Sequence, residues 1–318
     1  MLSCGIVGLP NSGKSTLFNA LLSRQMAQVA NYPFTTIEPN VGIVPVPDER
    51  LTALSRIAAD LTPISADRMI QPPIIPATVE FIDIAGLIRG AHQGEGLGNQ
   101  FLAKIREVSL VVHIVRFFTN PDVPHYYETI DPARDIEIVN LELELGEIKK
   151  PTLYVLNVDE DAINRRVEEW TSGDFKNLPI HLSNHPFVQV CAKLEMDLAE
   201  LSEGEKREYL KELGVKETGL DKLIRKAYEM LGLITFYTIK GGKEVRAWSL
   251  KNGETALSAA AEVHTDMAKG FVKAGVVSYE DLVAAGGWQK VGELGKIRLE
   301  GRDYEVQDGD VIELKFSV

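Results

Sequence analysis

Two cysteines among 318 residues, Cys4 and Cys191, are too few for a disulfide framework, and each falls in an apolar, strand-like run. They read as small core residues of a reducing compartment. No apolar run reaches the roughly 18 residues that cross a bilayer. The first strand-like segment begins at residue 2, so a leader peptide is not expected and a cytoplasmic protein without membrane attachment is. Positive charge is also in deficit: 34 Lys and Arg stand against 46 Asp and Glu, a net −12. That balance favours solubility and excludes a global attraction to nucleic acid, leaving any RNA contact to a local basic patch. Internal repeats, low-complexity tracts and an acidic tail are absent as well. What is present is 45% hydrophobic residues, enough for a sizeable core, in a length that suggests two domains.

Short, nearly continuous apolar runs occur at Val79–Asp83, Leu110–Val115, Thr152–Asn157 and Phe187–Cys191. Helical spacing falls between them, as at Asn99–Val108 and Leu220–Leu231. Continuous apolar strands alternating with helices predict a doubly wound parallel α/β sheet covered on both faces, over residues 1–232. After Gly232 the pattern changes. Ile234–Lys240 and Lys243–Leu250 flank Gly241-Gly242 as a hairpin, Ala256–His264 reads as a helix, and Tyr304–Val306 and Val311–Phe316 flank Asp308-Gly309. Strands around one helix over 233–318 predict a small α+β module of the β-grasp kind.

The densest chemistry lies near the start. Gly8-Leu-Pro-Asn-Ser-Gly13-Lys14-Ser15 fits GxxxxGK[ST], between a strand-like Leu2–Val7 and the helically spaced Thr16–Leu22. Glycines let successive backbone N–H groups turn inward onto phosphate oxygens, the helix start adds partial positive charge, and Lys14 adds a full one. Asn11, Ser12, Gly13, Lys14, Ser15 and Thr16 are therefore the expected phosphate contacts, with the Ser15 hydroxyl on Mg2+. Asn11 is a candidate potassium ligand or a turn cap.

Further stations follow at intervals that suit a nucleotide switch. Asp83-Ile-Ala-Gly86 is a DxxG element at a strand end, its carboxylate placed for Mg2+ and its glycine N–H for the γ-phosphate. The Pro-rich Asn31–Asn40 offers Thr36, or alternatively Thr35, to the metal and γ-phosphate. Asn157-Val158-Asp159-Glu160 occupies the place of the Asn-Lys-x-Asp that reads guanine. Asn157 is kept, but Glu160, a methylene longer, replaces the aspartate that accepts two guanine hydrogen bonds. A site pairing with one base rejects the other by about 10⁴–10⁵, so losing that aspartate removes the main preference for guanine and points to ATP. Cys191-Ala192-Lys193 stands where GTPases place Ser-Ala-Lys backbone contacts to the base, and there the chain still reads as a GTPase.

Efficient Ras-like hydrolysis uses a glutamine directly after DxxG to orient water; here that residue is Leu87. Histidine in neutral form can orient or activate water. Of the six histidines, His113 lies in an apolar strand and reads as core. His92, in a Gly-rich loop, and His125, beyond the third apolar strand, both remain candidates on their residues alone.

GLPNSGKST, NYPFTTIEPN, DIAGLIRGAHQGEGLGNQF, NVDE and the GGKEVRAW…DGDVIELKFSV tail together resemble the Obg-like ATPase (YchF) subfamily of P-loop proteins, over nearly the whole chain. The resemblance implies a Ras-like domain followed by a TGS domain, ATP preferred over GTP, required Mg2+, and association with the ribosome, notably its large subunit, in translation and stress regulation. It also implies hydrolysis assisted by a histidine of a flexible loop, which matches His125 by its place after Arg116-Phe-Phe-Thr-Asn-Pro-Asp. One departure stands out: the long helical hairpin of the subfamily, expected before Thr152, is replaced by Gly146–Pro151. The expectation is a monomeric switch that hydrolyses ATP slowly. Lys14, Gly86 and His125 serve the chemistry, Ser15, Thr36 and Asp83 the metal, and Asn157, Val158, Cys191 and Ala192 the base. The competing readings are a GTPase with a degraded base motif and a nucleotide-sensing ribosome adaptor.

Overall fold

The computed structural model describes residues 2–29, 40–59, 71–84, 97–164, 186–240 and 243–317. The expectations placed on Thr35, Thr36, Gly86, Leu87, His92 and the Gly241-Gly242 turn lie outside these residues. The chain forms two compact units: Met1–Pro45 with Val79–Leu231, and Val46–Thr78 with Gly232–Val318.

The first unit opens with β1 (Ser3–Val7), α1 (Lys14–Val29) and β2 (Val41–Pro45). The next two elements, α2 (Arg50–Ala59) and β3 (Ile74–Ile75), belong to the second unit. The chain then returns with β4 (Thr78–Asp83), α3 (Leu97–Glu107), β5 (Leu110–Phe117), α4 (Pro132–Leu145), β6 (Thr152–Val158), β7 (Phe187–Val190), α5 (Ala192–Ala199), α6 (Glu203–Glu212) and α7 (Gly219–Met230). The sheet order is β2-β4-β1-β5-β6-β7. β4, β1, β5, β6 and β7 run parallel. All of β1 and β5 is buried, which explains their uninterrupted apolar sequence: each face of the sheet carries helices. On one face Val7, Val111, Val115 and Leu156 pack against Phe101 and Ile105 of α3, Ile136 and Leu143 of α4 and Leu194 of α5. Parallel strands place all their carboxyl ends on one edge, where a ligand crevice forms in doubly wound sheets.

Between α4 and β6 the chain needs no hairpin. Gly146 N–H caps α4 on Glu142 O (3.0 Å), Ile148 N–H bonds Leu143 O (2.8 Å), and Arg106 at the end of α3 donates to Gly146 O (3.0 Å). The short connection is thus a bonded helix terminus.

The second unit adds β8 (Leu233–Ile239), β9 (Val245–Lys251), α8 (Ala256–Val263), α9 (Thr265–Lys269), β10 (Phe271–Ser278), α10 (Tyr279–Ala285), α11 (Trp288–Glu293), β11 (Arg298–Glu300) and β12 (Asp310–Phe316). Their sheet runs β11-β10-β12-β8-β9-β3. The β8–β9 hairpin is antiparallel and β12 joins β8 in parallel. Small residues Ala256, Ala259 and Ala260 let α8 lie close on Phe236, Leu250, Ala274 and Ile312. This is the expected α+β module with three corrections. β10 was missed in the sequence because Lys273 and Gly275 break its apolar run. Tyr304–Val306 is no strand, only an isolated bridge from Glu305 to Thr255. The third concerns the continuous first domain expected over 1–232, since 46–78 groups with the carboxyl-terminal unit.

The reason lies in a polar cluster around Tyr237 and a strand pairing. Fully buried Tyr237 donates its hydroxyl to Asp48, whose carboxylate also holds Arg50; Arg50 in turn reaches Asp308 (2.7 Å), which accepts from Thr235 N–H (2.8 Å). β3 pairs with β9, and Val46 N–H bonds Ala77 O (2.8 Å), closing the excursion at its base. Apart from Asp48 and Arg50, these partners are far apart in sequence, so periodicity carries no trace of them.

One buried acid gives the first unit a pH signature. Glu195 of α5 is 5% exposed and accepts from Leu220 N–H (3.1 Å) at the start of α7. Burial pushes its carboxyl up from 4.5 to about 7, against the pull of that N–H. A carboxyl raised on folding binds its proton more tightly folded than unfolded, so stability falls as pH rises through this window, at up to ~1.4 kcal/mol per pH unit. Glu195→Gln keeps an acceptor for Leu220 and removes the proton. In urea melts between pH 5 and 7.5 the parent is expected to lose stability relative to the variant; parallel curves would disprove the assignment.

Candidate nucleotide-binding site

Five strand ends meet at the carboxyl edge of the first sheet. Gly8–Gly13 follows β1, and Asp83 ends β4. Phe118–Val123 follows β5, Asp159-Glu160 follows β6, and Cys191–Lys193 follows β7. A cleft of about 590 Å³ opens between four of them, lined by Asn11 and Gly13–Thr16, Phe118–Asn120 and Val123, Asn157–Glu160, and Cys191–Lys193.

The phosphate loop owes its shape to backbone that side chains resist. Gly8, Asn11 and Gly13 have φ of 152°, 61° and 95°, in the left-handed region that favours glycine and tolerates asparagine. A Cβ on Gly13 would stand 2.1 Å from Asn157 Nδ2. α1 starts at Lys14, so its first N–H groups have no carbonyl partner within the helix and face the cleft as anion donors. Lys14 donates Nζ to Leu9 O (2.7 Å), and burial lowers its pKa from 10.5 to about 8, with Asp83 working in the opposite direction. Ser15 and Thr16 are exposed into the cleft, whereas Ser12 is buried and its Oγ has no partner among the described residues.

Asn157 bridges the two ends of the site. It is 4% exposed; Nδ2 donates to Ser12 O (3.0 Å) and Oδ1 accepts from Ala192 N–H (3.0 Å). One carboxamide therefore fixes the phosphate loop against the base-side loop. Beside it, each carboxylate of the degraded motif accepts one hydrogen bond from a protein donor through one of its two oxygens. Asp159 accepts from Thr119 N–H (3.0 Å), and Glu160 accepts from the Tyr209 hydroxyl of α6 (2.6 Å). Neither stands as a free bidentate acceptor for a guanine edge.

Sequence reasoning missed the wall built by Arg116. This arginine is 2% exposed at the end of β5, donates to Val123 O (2.8 Å), Phe118 O (3.2 Å) and Asn11 O (3.4 Å), and stacks 4.3 Å over the Phe118 ring. Asn11 adds Nδ2 to Pro124 O (3.0 Å), a bond to the segment beyond β5 and not a cap of its own turn. A buried arginine inside an apolar strand was the available signal. His113 is the core histidine expected, 1% exposed, with burial and the Lys14 charge lowering its pKa to about 3.

His125 departs from expectation. It does not line the cleft; its side chain is 3% exposed, Nε2 lies 2.7 Å from Asp135 Oδ2, and Nδ1 accepts from Tyr127 N–H (3.1 Å). The ring is occupied at both nitrogens and is not presented to water here.

For Mg2+ the chemistry of the donors fits. Asp83 Oδ1 is buried with no partner among the described residues, and burial raises its carboxyl above the ordinary range. Among the described residues no three His, Cys, Asp or Glu form a metal cluster. That suits an ion that takes one or two protein oxygens and completes its shell with phosphate and water.

Removing the bridge tests the site. Asn157→Ala leaves Ser12 O and Ala192 N–H buried and unpaired, at a cost of about 1–3 kcal/mol each. Denaturation should show that loss, and calorimetry should show weaker ATP binding. Gly13→Ala, which collides with the same amide, is expected to abolish binding while the far strands keep their hydrogen-exchange protection. Unchanged affinity in both variants would remove the bridge from the site.

Residues 3–158 match the family described as 50S ribosome-binding GTPase, and residues 233–317 match YchF-GTPase_C, described as a protein of unknown function. The chain is similar to the ribosome-binding ATPase YchF of Haemophilus influenzae, 41% identical over 381 residues with 99% of each chain covered. It is 39% identical to the Bacillus subtilis protein of that name over 387 residues, covering all of both. These alignments exceed the 318 residues here, so roughly sixty aligned positions have no counterpart, in keeping with the short Gly146–Pro151 connection. A solved structure of the Schizosaccharomyces pombe YchF GTPase superposes with a TM-score of 0.79 at 27% identity, over 99% of this chain and 97% of that one. Full-length similarity at this level, together with the site geometry, places the chain in the YchF family.

Proposed function

We propose that this chain is a Mg2+-dependent switch that binds ATP, hydrolyses it slowly and associates with the ribosome. The observation that carries the base preference is the commitment of Asp159 to Thr119 and of Glu160 to Tyr209. Guanine recognition needs a free carboxylate opposite its ring N–H and exocyclic amine; adenine presents a lone pair at that ring position and is spared the unpaired donor. The name of the Haemophilus and Bacillus relatives, ribosome-binding ATPase, supports the same reading.

In this assignment the N–H groups from Gly8 to Thr16 and the Lys14 ammonium hold the phosphates, and Gly86 senses the terminal one. Ser15, Asp83 and Thr36 would hold Mg2+, which when bound supplies charge neutralisation between the β- and γ-phosphates. Val158, Cys191 and Ala192 enclose the base. Asn11 has Nδ2 spent on Pro124, leaving its Oδ1 for a potassium ion. His125 serves the attacking water once released from its present partners. The second unit, as a TGS domain, takes the ribosomal contact, and the description 50S ribosome-binding GTPase for the matched family supports the large subunit. No helix among the described residues is long and apolar enough to cross a membrane; the reading includes a cytoplasmic location and a monomeric state.

A GTPase reading draws on the Cys191-Ala192 backbone station and on the name of the fission-yeast relative. Competition calorimetry with Mg2+ decides between the two. ATP is expected to bind at least tenfold more tightly than GTP, equivalent to ~1.4 kcal/mol; a GTP preference would reverse the assignment, and no heat from either would end it.

A further inference from the structure

Among the described residues, His125 and Asp135 form the most enclosed contact of a histidine with a carboxylate, with each side chain 3% exposed and 2.7 Å between Nε2 and Oδ2. Because Nδ1 accepts the Tyr127 N–H (3.1 Å), the ring proton sits on Nε2 and is donated to the carboxylate. Asp135 is itself fixed in the first turn of α4: its N–H bonds Asp131 O (3.0 Å), and Arg134 approaches its other oxygen at 3.4 Å. The backbone next to His125 lies against the phosphate loop, since the preceding residue, Pro124, accepts from Asn11 Nδ2 (3.0 Å). The imidazole is therefore close to the site in chain position yet has no free nitrogen.

We propose that Asp135 is a positioning residue that controls hydrolysis by latching His125: it holds the imidazole buried, neutral and doubly bonded, and turnover requires that the Nε2–Asp135 bond break so the ring can reach the attacking water. This rests on the nucleotide-hydrolysing reading above and adds a resting block to it. Neutral imidazole freed from the carboxylate keeps one acceptor nitrogen, which is what orienting a water demands. A charge-assisted hydrogen bond in the interior holds such a ring strongly, so opening it slows basal turnover by about tenfold or more. A partner or nucleotide that shifts the Phe118–Tyr127 segment relative to α4 would release it.

The test is single-turnover ATP hydrolysis with Mg2+ and no ribosomes, using the full chain, alongside calorimetric ATP affinity and thermal melting. Asp135→Ala should raise the rate about tenfold with the dissociation constant for ATP unchanged within about twofold. Asp135→Asn, whose amide oxygen still accepts from Nε2–H, should fall between parent and alanine variant. His125→Ala combined with Asp135→Ala should return to the rate of His125→Ala alone. In the nucleotide-free parent, the 15N shifts of His125 should report the Nε2–H tautomer. A rate for Asp135→Asn at or below the parent, a gain that survives loss of His125, or the Nδ1–H tautomer would each overturn the latch. Failure of the parent to bind ATP would overturn the underlying assignment as well, whereas binding without acceleration sinks the latch alone.

Discussion

The site depends on one buried carboxamide. Asn157 joins Ser12 O to Ala192 N–H, and through those two bonds the loops after β1 and β7 hold one geometry although two strands separate them in the sheet. The bridge is possible because residue 13 has no Cβ: any side chain there would occupy the space of the amide. Glycine and asparagine thus answer each other across 144 residues of chain. Arg116 extends the same logic on the adjacent side, drawing the loop after β5 onto Asn11 with guanidinium bonds to backbone oxygens. Buried polar groups that are fully paired in this way specify a single arrangement, since any alternative strands a donor or acceptor in the interior.

A different constraint shapes the second unit. Its α2 and β3 come from the middle of the first unit's sequence, between β2 and β4. β2 follows the Thr36 segment and β4 ends at Asp83, so both strands adjoining the expected γ-phosphate sensors continue covalently into the excursion. Tyr237, Asp48, Arg50 and Asp308 secure that excursion to the hairpin and to the Asp308-Gly309 turn.

Much of the first unit was legible. Uninterrupted apolar runs identify central parallel strands because both faces must be covered, and the GxxxxGK[ST] spacing identifies the phosphate loop because its geometry needs glycine at fixed places. The degraded base motif was readable for the same reason: a methylene moves a carboxylate. His125 shows the limit. Its position after the third strand placed it near the site, but its burial and its two hydrogen-bond partners come from Asp135 and Tyr127, which no pattern of spacing marks as neighbours of the cleft.

The sequence by itself determined the phosphate loop, the order of strands and helices that brings five strand ends to one edge, and the loss of the guanine-reading aspartate; these follow from short-range sterics and local hydrogen-bonding capacity. Only the tertiary structure decided that 46–78 belongs with the carboxyl-terminal unit, that Asn157 serves as a bridge, that Glu160 is held by Tyr209, and that His125 is occupied. Each of these rests on a contact between residues distant in the chain, where polar groups take the partners that the folded chain brings near, and proximity is set by packing.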